Sequence, residues 1–231
     1  MIAYRNLNLI GTSHISIESI KEVVRAVTEL KPAVVALELD ENRLFAIMGE
    51  KKGKLSLRDV GALGIKGFLF NLMGAWAEKK LGRLVGTSPG DEMRAAVKTA
   101  REQNARIALI DRDIRQTIKS LFRQITWKEK FRFLWDITAG LFSKRRRIEF
   151  DLRKVPEKEF ISKIIKQVRK RYPSVYNALI HERNVIMAQH LYSLMERYKD
   201  MPVVAVVGAG HEEGIISWLR ASHSAPHTRS E

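Results

Sequence analysis

The chain has 231 residues, 45% of them hydrophobic, and a formal net charge of +15. That is enough apolar material for a real core, and it excludes wholesale disorder. Cysteine is absent, which excludes disulfides, thiolate metal sites and cysteine nucleophiles and agrees with a reducing compartment. There is no run of about 18 apolar residues and no basic region leading into an apolar one at the start, so a cytoplasmic or membrane-associated protein without signal peptide or spanning helix is expected.

The first strand reads as Leu7 to Ile10 and breaks at Gly11-Thr12-Ser13-His14. Residues 15–30 follow as an amphipathic helix with Ile20, Val23, Val24 and Val27 on one face. Ser16 is placed to cap it and Pro32 to end it. Ala33 to Leu37 is a second buried strand, closing at Glu38-Leu39-Asp40, with Arg43 just beyond. Strand, helix, strand implies a right-handed parallel crossover. Residues 50–54 read as a loop. Residues 57–81 are apolar but interrupted by glycine, Lys66 and Asn71, which fits a packed or interfacial helix pair.

Thr87-Ser88-Pro89-Gly90-Asp91 opens a helix with a small-residue face that ends at Asn104. Glu92 stands in its first turn, where a carboxylate suits the helix dipole. Ile107 to Ile110 is a third strand and closes in Asp111-Arg112-Asp113. The segment 112–171 then holds 19 Lys+Arg against 7 Asp+Glu, a net +12, and the remainder of the chain only +3. Its cations interleave with Phe122, Trp127, Phe131, Phe133, Trp135 and Phe142. That pattern fits a helix on anionic lipid and equally a core helix with a basic outer face. Nucleic acid is the weaker partner, since no helix-turn-helix, RNP-type or zinc-finger pattern accompanies the charge.

Pro156 to Arg171 and Ser174 to Tyr198 read as two more helices, the second carrying His181-Glu182-Arg183-Asn184 with Glu182 able to turn inward onto an arginine. The last strand, Val203 to Val207, stops at Gly208-Ala209-Gly210-His211, and a final helix follows. Gly208-x-Gly210-x-x-x-Gly214 is a loose dinucleotide-like pattern, but it is followed by only a short stretch and no acidic ribose-binding residue. Residues 222–231 read as a disordered tail.

The expected fold is therefore α/β: a small, mainly parallel central sheet flanked by helices, one domain over 1–231, with a large basic helical insertion at 113–171. In such a sheet His14, Glu38, Asp111-Arg112 and His211 share the carboxyl edge. Two imidazoles and a carboxylate are a common divalent-metal set that leaves positions for water, and a second carboxylate can take a proton. His181, His190, His223 and His227 lack this placement and read as structural or solvated.

The ordered motifs Gly11 to His14, Val35 to Asp40 with Arg43, Pro89 to Glu92, Ile110 to Asp113, Glu182 to Asn184 and Gly208 to His211 resemble the TraB/PrgY family (pheromone-shutdown-related proteins), from about Leu7 to Leu219. That family is related to the Tiki and GumN proteins and, more widely, to erythromycin-esterase-like (EreA) and ChaN-like α/β folds. The resemblance implies a metal-dependent peptidase or hydrolase of the Tiki type, using Mn2+ or Co2+, with Zn2+ also admitted. It implies His14, Glu38 and His211 as metal ligands or catalytic residues, lined by Arg43, Glu92, Asp111, Arg112, Glu182 and Arg183. The implied partners are a peptide or protein substrate, an anionic membrane surface through 119–147, and a second copy in a homo-oligomer. The family also implies an alternative, a non-catalytic membrane-associated module that binds and inhibits peptide pheromones.

Overall fold

The computed structural model describes residues 1–12, 17–49, 90–142 and 157–224. The sheet is formed by β1 (Ile2–Tyr4), β2 (Leu7–Thr12), β3 (Val34–Leu37), β4 (Arg106–Leu109) and β5 (Val203–Gly208), in the order β1-β2-β5-β3-β4. All neighbours are parallel except β1, which adds antiparallel to β2 at the edge. The sequence pattern does not signal β1, because Ile2-Ala3-Tyr4 is short and only half-buried. The chain's last strand enters between the first two parallel strands: Thr12 lies beside Gly208, and Leu37 beside Val206.

Strand alternation builds two cores. Leu7, Leu9, Val34, Ala36, Val203, Ala205 and Val207 face one side. There they meet Met187, Ala188 and Leu191 of α8 (Glu182–Arg197) and Ile215 and Leu219 of α9 (Glu212–Ser224). Ile10, Val35, Leu37, Val204 and Val206 face the other side. They meet Val23 and Val27 of α1 (Ile17–Leu30) and Met93, Ala96 and Ala100 of α3 (Asp91–Glu102). Because both faces are covered, every residue of β3 and β5 is buried. The moves β2 to β3 to β4 run one way along the sheet beneath α1 and α3. The return to β5 runs the other way beneath α8, so all crossovers share one hand. Val24 of α1 is exposed rather than on the core face, because the buried stripe is Ser19, Val23, Ala26 and Val27.

Asp40 caps α2 (Glu41–Met48), accepting from the Arg43 N–H at 3.0 Å. Asn104 takes the left-handed conformation (φ 55°) just past α3. The basic segment supplies α4 (Ile114–Gln124), α5 (Trp127–Phe142) and α6 (Glu157–Arg171). The helix expected from 174 to 198 is divided: a short α7 (Pro173–Tyr176) passes through a π turn (Asn177–His181) into α8. Among the described residues no helix is long and apolar enough to cross a membrane. The tail expected from 222 begins later, because α9 continues through Ser224; the expectations for 50–54, 57–81 and 225–231 fall outside the described residues, as does Ser16.

Candidate functional site at the carboxyl edge of the sheet

The ends of three parallel strands converge on one guanidinium. Glu38 follows β3, Asp111 follows β4, and His211 follows β5. Arg183, in the first turn of α8, reaches all three. Its Nη2 donates to Glu38 Oε1 and, at 2.7 Å, to Asp111 Oδ2; its Nε donates to Asp111 Oδ1 at 3.1 Å. Its Nη1 lies 3.2 Å from His211 Nε2. Arg43 adds a second cation, donating to Asp111 Oδ2 at 3.0 Å. The side chains of Glu38, Asp111 and His211 are only 4%, 2% and 6% exposed. Two buried carboxylates thus face two guanidiniums, the balance that burying charge requires. Although burial alone would lower it, the nearby Glu38 and Asp111 raise the pKa of Arg183 and hold it charged.

The histidine is oriented from both sides. Arg183 can only donate, so His211 Nε2 accepts and the ring proton sits on Nδ1. Nδ1 then donates to Asn184 Oδ1 at 2.5 Å. The His211 carbonyl also accepts the first bond of α9, from Ile215 N at 3.0 Å, which seats the residue at the helix start. Glu38 is fixed equally: its Oε2 accepts the Gly208 N–H at 2.6 Å, while its Oε1 stands 3.4 Å from His211 Nε2.

Asp111-Arg112 and Glu182-Arg183 bond crosswise. As Asp111 takes Arg183, the next residue, Arg112, takes Glu182 at 2.8 Å. Arg112 also donates to Thr117 Oγ1 at 2.9 Å and to the Ala178 carbonyl at 3.0 Å. Glu182 further accepts from Ser120 Oγ at 2.7 Å and from Gln124. Burial pushes the Glu182 carboxyl up, yet its bonds from Ser120, Arg112 and Gln124 together hold it below the usual glutamate range. The π turn takes part, since its Ala178 and Leu179 carbonyls accept from Arg112 and Arg183.

Of the residues singled out in the sequence, Glu38, Arg43, Asp111, Arg183 and His211 form one bonded cluster. Arg112 and Glu182 form a second cluster directly behind it. Glu92 is buried in the first turn of α3. His14 lies outside the described residues. Of the histidines set aside, His190 contacts the Ile110 carbonyl at 2.8 Å through Nδ1, and His181 is exposed. Sequence reasoning missed Asn184, Ser120, Gln124 and the Gly208 N–H as partners. Only Asn184 carried a signal, standing beside Arg183 in the helix.

The glycines of the last motif serve close packing. A Cβ on Gly210 would come within 2.7 Å of Ile165 Cδ1, and one on Gly214 within 2.1 Å of Asn184 Nδ2. A Cβ on Gly11 would strike the Glu212 carboxyl, whose Oε1 accepts the Gly11 N–H at 3.0 Å.

The profile of the TraB/PrgY/gumN family matches residues 4–222. The chain belongs to this family. It is 36% identical to an uncharacterized protein of Methanocaldococcus jannaschii over 93% of this chain and 53% of that protein. It is 25% and 24% identical to the TraB domain-containing proteins of Homo sapiens and Bos taurus, over 90% of this chain and 61% and 60% of theirs. The chain therefore spans about half to three-fifths of the length of these relatives.

The donors at the edge can be tested against a divalent ion. Glu38 Oε1 and His211 Nε2, a carboxylate and an imidazole donor, stand 3.4 Å apart, close enough to serve one divalent ion together. The opposite imidazole nitrogen is tied by Asn184, as the ring of a metal-binding histidine commonly is. This pair fits two positions of such an ion, with the Arg183 guanidinium on the same lone pairs as a built-in competitor. Among the described residues no group of three His, Cys, Asp or Glu side chains gathers as a ligand set.

Proposed function

We propose that this TraB-family chain is a metal-dependent hydrolase of peptide bonds, working at the carboxyl edge of the sheet. His14, Glu38 and His211 would hold the divalent ion, Mn2+ or Co2+ before Zn2+. The observation that carries the reading is the buried Glu38–His211 pair, from two separate strand ends, 3.4 Å apart and oriented by Gly208 and Asn184.

A bound ion would supply an acidified water and polarise the scissile carbonyl. The chain's own residues divide the remaining work. His211, with its proton held on Nδ1 by Asn184, turns its unprotonated Nε2 toward the position the ion would take. Arg183, braced by Asp111, presents positive charge where a carbonyl oxygen would turn negative. Asp111 and Arg43 keep that guanidinium aligned. The crossed pair Arg112–Glu182 fixes the start of α8, from which Arg183 projects.

Turnover of a mixed peptide library with Mn2+, Co2+ or Zn2+, read by mass spectrometry, tests this. Expected is cleavage that falls at least a hundredfold in His211→Ala and Glu38→Gln. Absence of cleavage with every ion, or full cleavage in both variants, would sink it.

A second reading, a non-catalytic module held at an anionic membrane surface, rests on a different observation. Trp127, Phe131, Leu134 and Trp135, at helical spacing on α5, are 73%, 67%, 58% and 72% exposed. Lys128, Lys130 and Arg132 interleave with them, and Lys130 sits 4.3 Å over the Trp127 ring. Apolar rings among cations suit a helix lying at an anionic headgroup boundary.

A further inference from the structure

Behind the catalytic edge lies a half-open cavity of about 480 Å³, a size suited to a small organic ligand. Its walls come from α6, the π turn, the start of α8 and the first turns of α9. Gly210 and Gly214 line it where larger residues would collide with Ile165 and Asn184, so the close approach of these elements shapes its floor.

The lining has two characters. Ile165, Ile180 and Trp218 give an apolar interior. Lys166 and Arg169, both exposed on α6, stand at its rim, with the Arg169 guanidinium 5.3 Å over the Tyr176 ring. Among the described residues Glu213 is the one acidic side chain lining the cavity. A neutral ligand would leave those cations unused, and a purely polar anion would leave the apolar wall wet. A group carrying both a carboxylate and an aliphatic side chain uses each.

We propose that this cavity is a binding site for small amphipathic carboxylates of the kind found at a peptide's C-terminal residue, with Lys166 and Arg169 on the carboxylate and Ile165, Ile180 and Trp218 on the side chain. Among the described residues its lining holds none of Glu38, Arg183 and His211, and Asn184 links the two places: it lines the cavity and holds His211 through Oδ1. The assignment does not depend on hydrolysis.

The indole N–H signal of Trp218 in the full chain, assigned with Trp218→Phe, reads occupancy by NMR. N-acetyl-L-leucine is expected to shift it saturably, N-acetyl-L-leucinamide to bind at least tenfold more weakly, and inorganic phosphate to leave it in place. Lys166→Gln/Arg169→Gln, both exposed changes, should weaken N-acetyl-L-leucine at least tenfold while the rest of the spectrum stays as in the parent. No saturable shift, equal binding of acid and amide, an equal shift with phosphate, or undiminished binding in the double variant would each overturn the assignment.

Discussion

The carboxyl edge of the sheet and helix α5 hold their charges in opposite ways. At the edge, the side chains of Glu38, Asp111 and His211 are buried and that of Arg183 is 15% exposed, and each is bonded to at least two other groups. On α5 the cations and aromatic rings face solvent, and the one buried charge, Glu129, bonds Thr126 and Ser174 at the helix start. Burial makes the first region costly to disturb and the second cheap. A buried charge stripped of its partner keeps its desolvation penalty, whereas an exposed one returns to water. The edge therefore specifies geometry, and α5 is free to meet a surface.

The sharpest way to break this contrast is Arg183→Met. It takes the cation from Glu38 and leaves Asp111 with Arg43 alone, and the expected loss is about 3–5 kcal/mol, read by chemical denaturation. A loss below about 1 kcal/mol would mean the edge is no more tightly bound than a surface pair.

Gly214→Ala comes next. The added methyl drives into Asn184 Nδ2, so Asn184 must turn off His211 or α9 must shift. Overpacking of this kind costs about 1–3 kcal/mol. The His211 ring should then lose its single tautomer, visible in imidazole nitrogen shifts, while a matched exposed change such as Gly49→Ala should leave those shifts alone.

The Glu182 carboxyl, held below its ordinary value of 4.5, gives a prediction in pH. A depressed folded pKa means stability present above the unfolded value and lost as pH falls through the folded one. The destabilisation by Glu182→Gln should be largest at neutral pH and shrink below about pH 4.5. A constant difference from pH 7 to pH 3 would show that the charge of Glu182 is immaterial. On α5–α6, Asp136 is held at about 2 by its bonds from Arg171 and Tyr172, so that contact should survive to lower pH than ordinary aspartate pairs.

The smallest effect on stability belongs to α5. Trp127→Ser/Trp135→Ser should change folding free energy by no more than about 0.5 kcal/mol per site. It should nonetheless abolish flotation with phosphatidylserine vesicles at low salt. Flotation that persists would assign the lipid surface elsewhere or remove it.

Glu38 and His211 were legible because a β-branched run stopped by a polar cluster marks the carboxyl end of a buried parallel strand. Arg183 was legible only through the family motif, since nothing in a helix's own periodicity says which inward arginine spans three strand ends. Ser120 and Gln124 were invisible: they lie on α4 in the basic segment, and their role exists only because the return path from β4 brings that helix against α8.

By itself, then, the sequence determined the parallel strands, their two buried faces and the chemistry gathered at one edge, because hydrophobic period and strand-end residues are local properties. The tertiary structure decided the rest. It inserted β5 between β2 and β3, which sets Gly208 against Glu38. It crossed Asp111-Arg112 with Glu182-Arg183, and it widened the helix at Asn177–His181 so that two carbonyls meet arginines. Apart from the Leu179 carbonyl on Arg183, four residues away, these contacts join residues 66 or more apart, fixed by how the layers pack and not by any pattern within a segment.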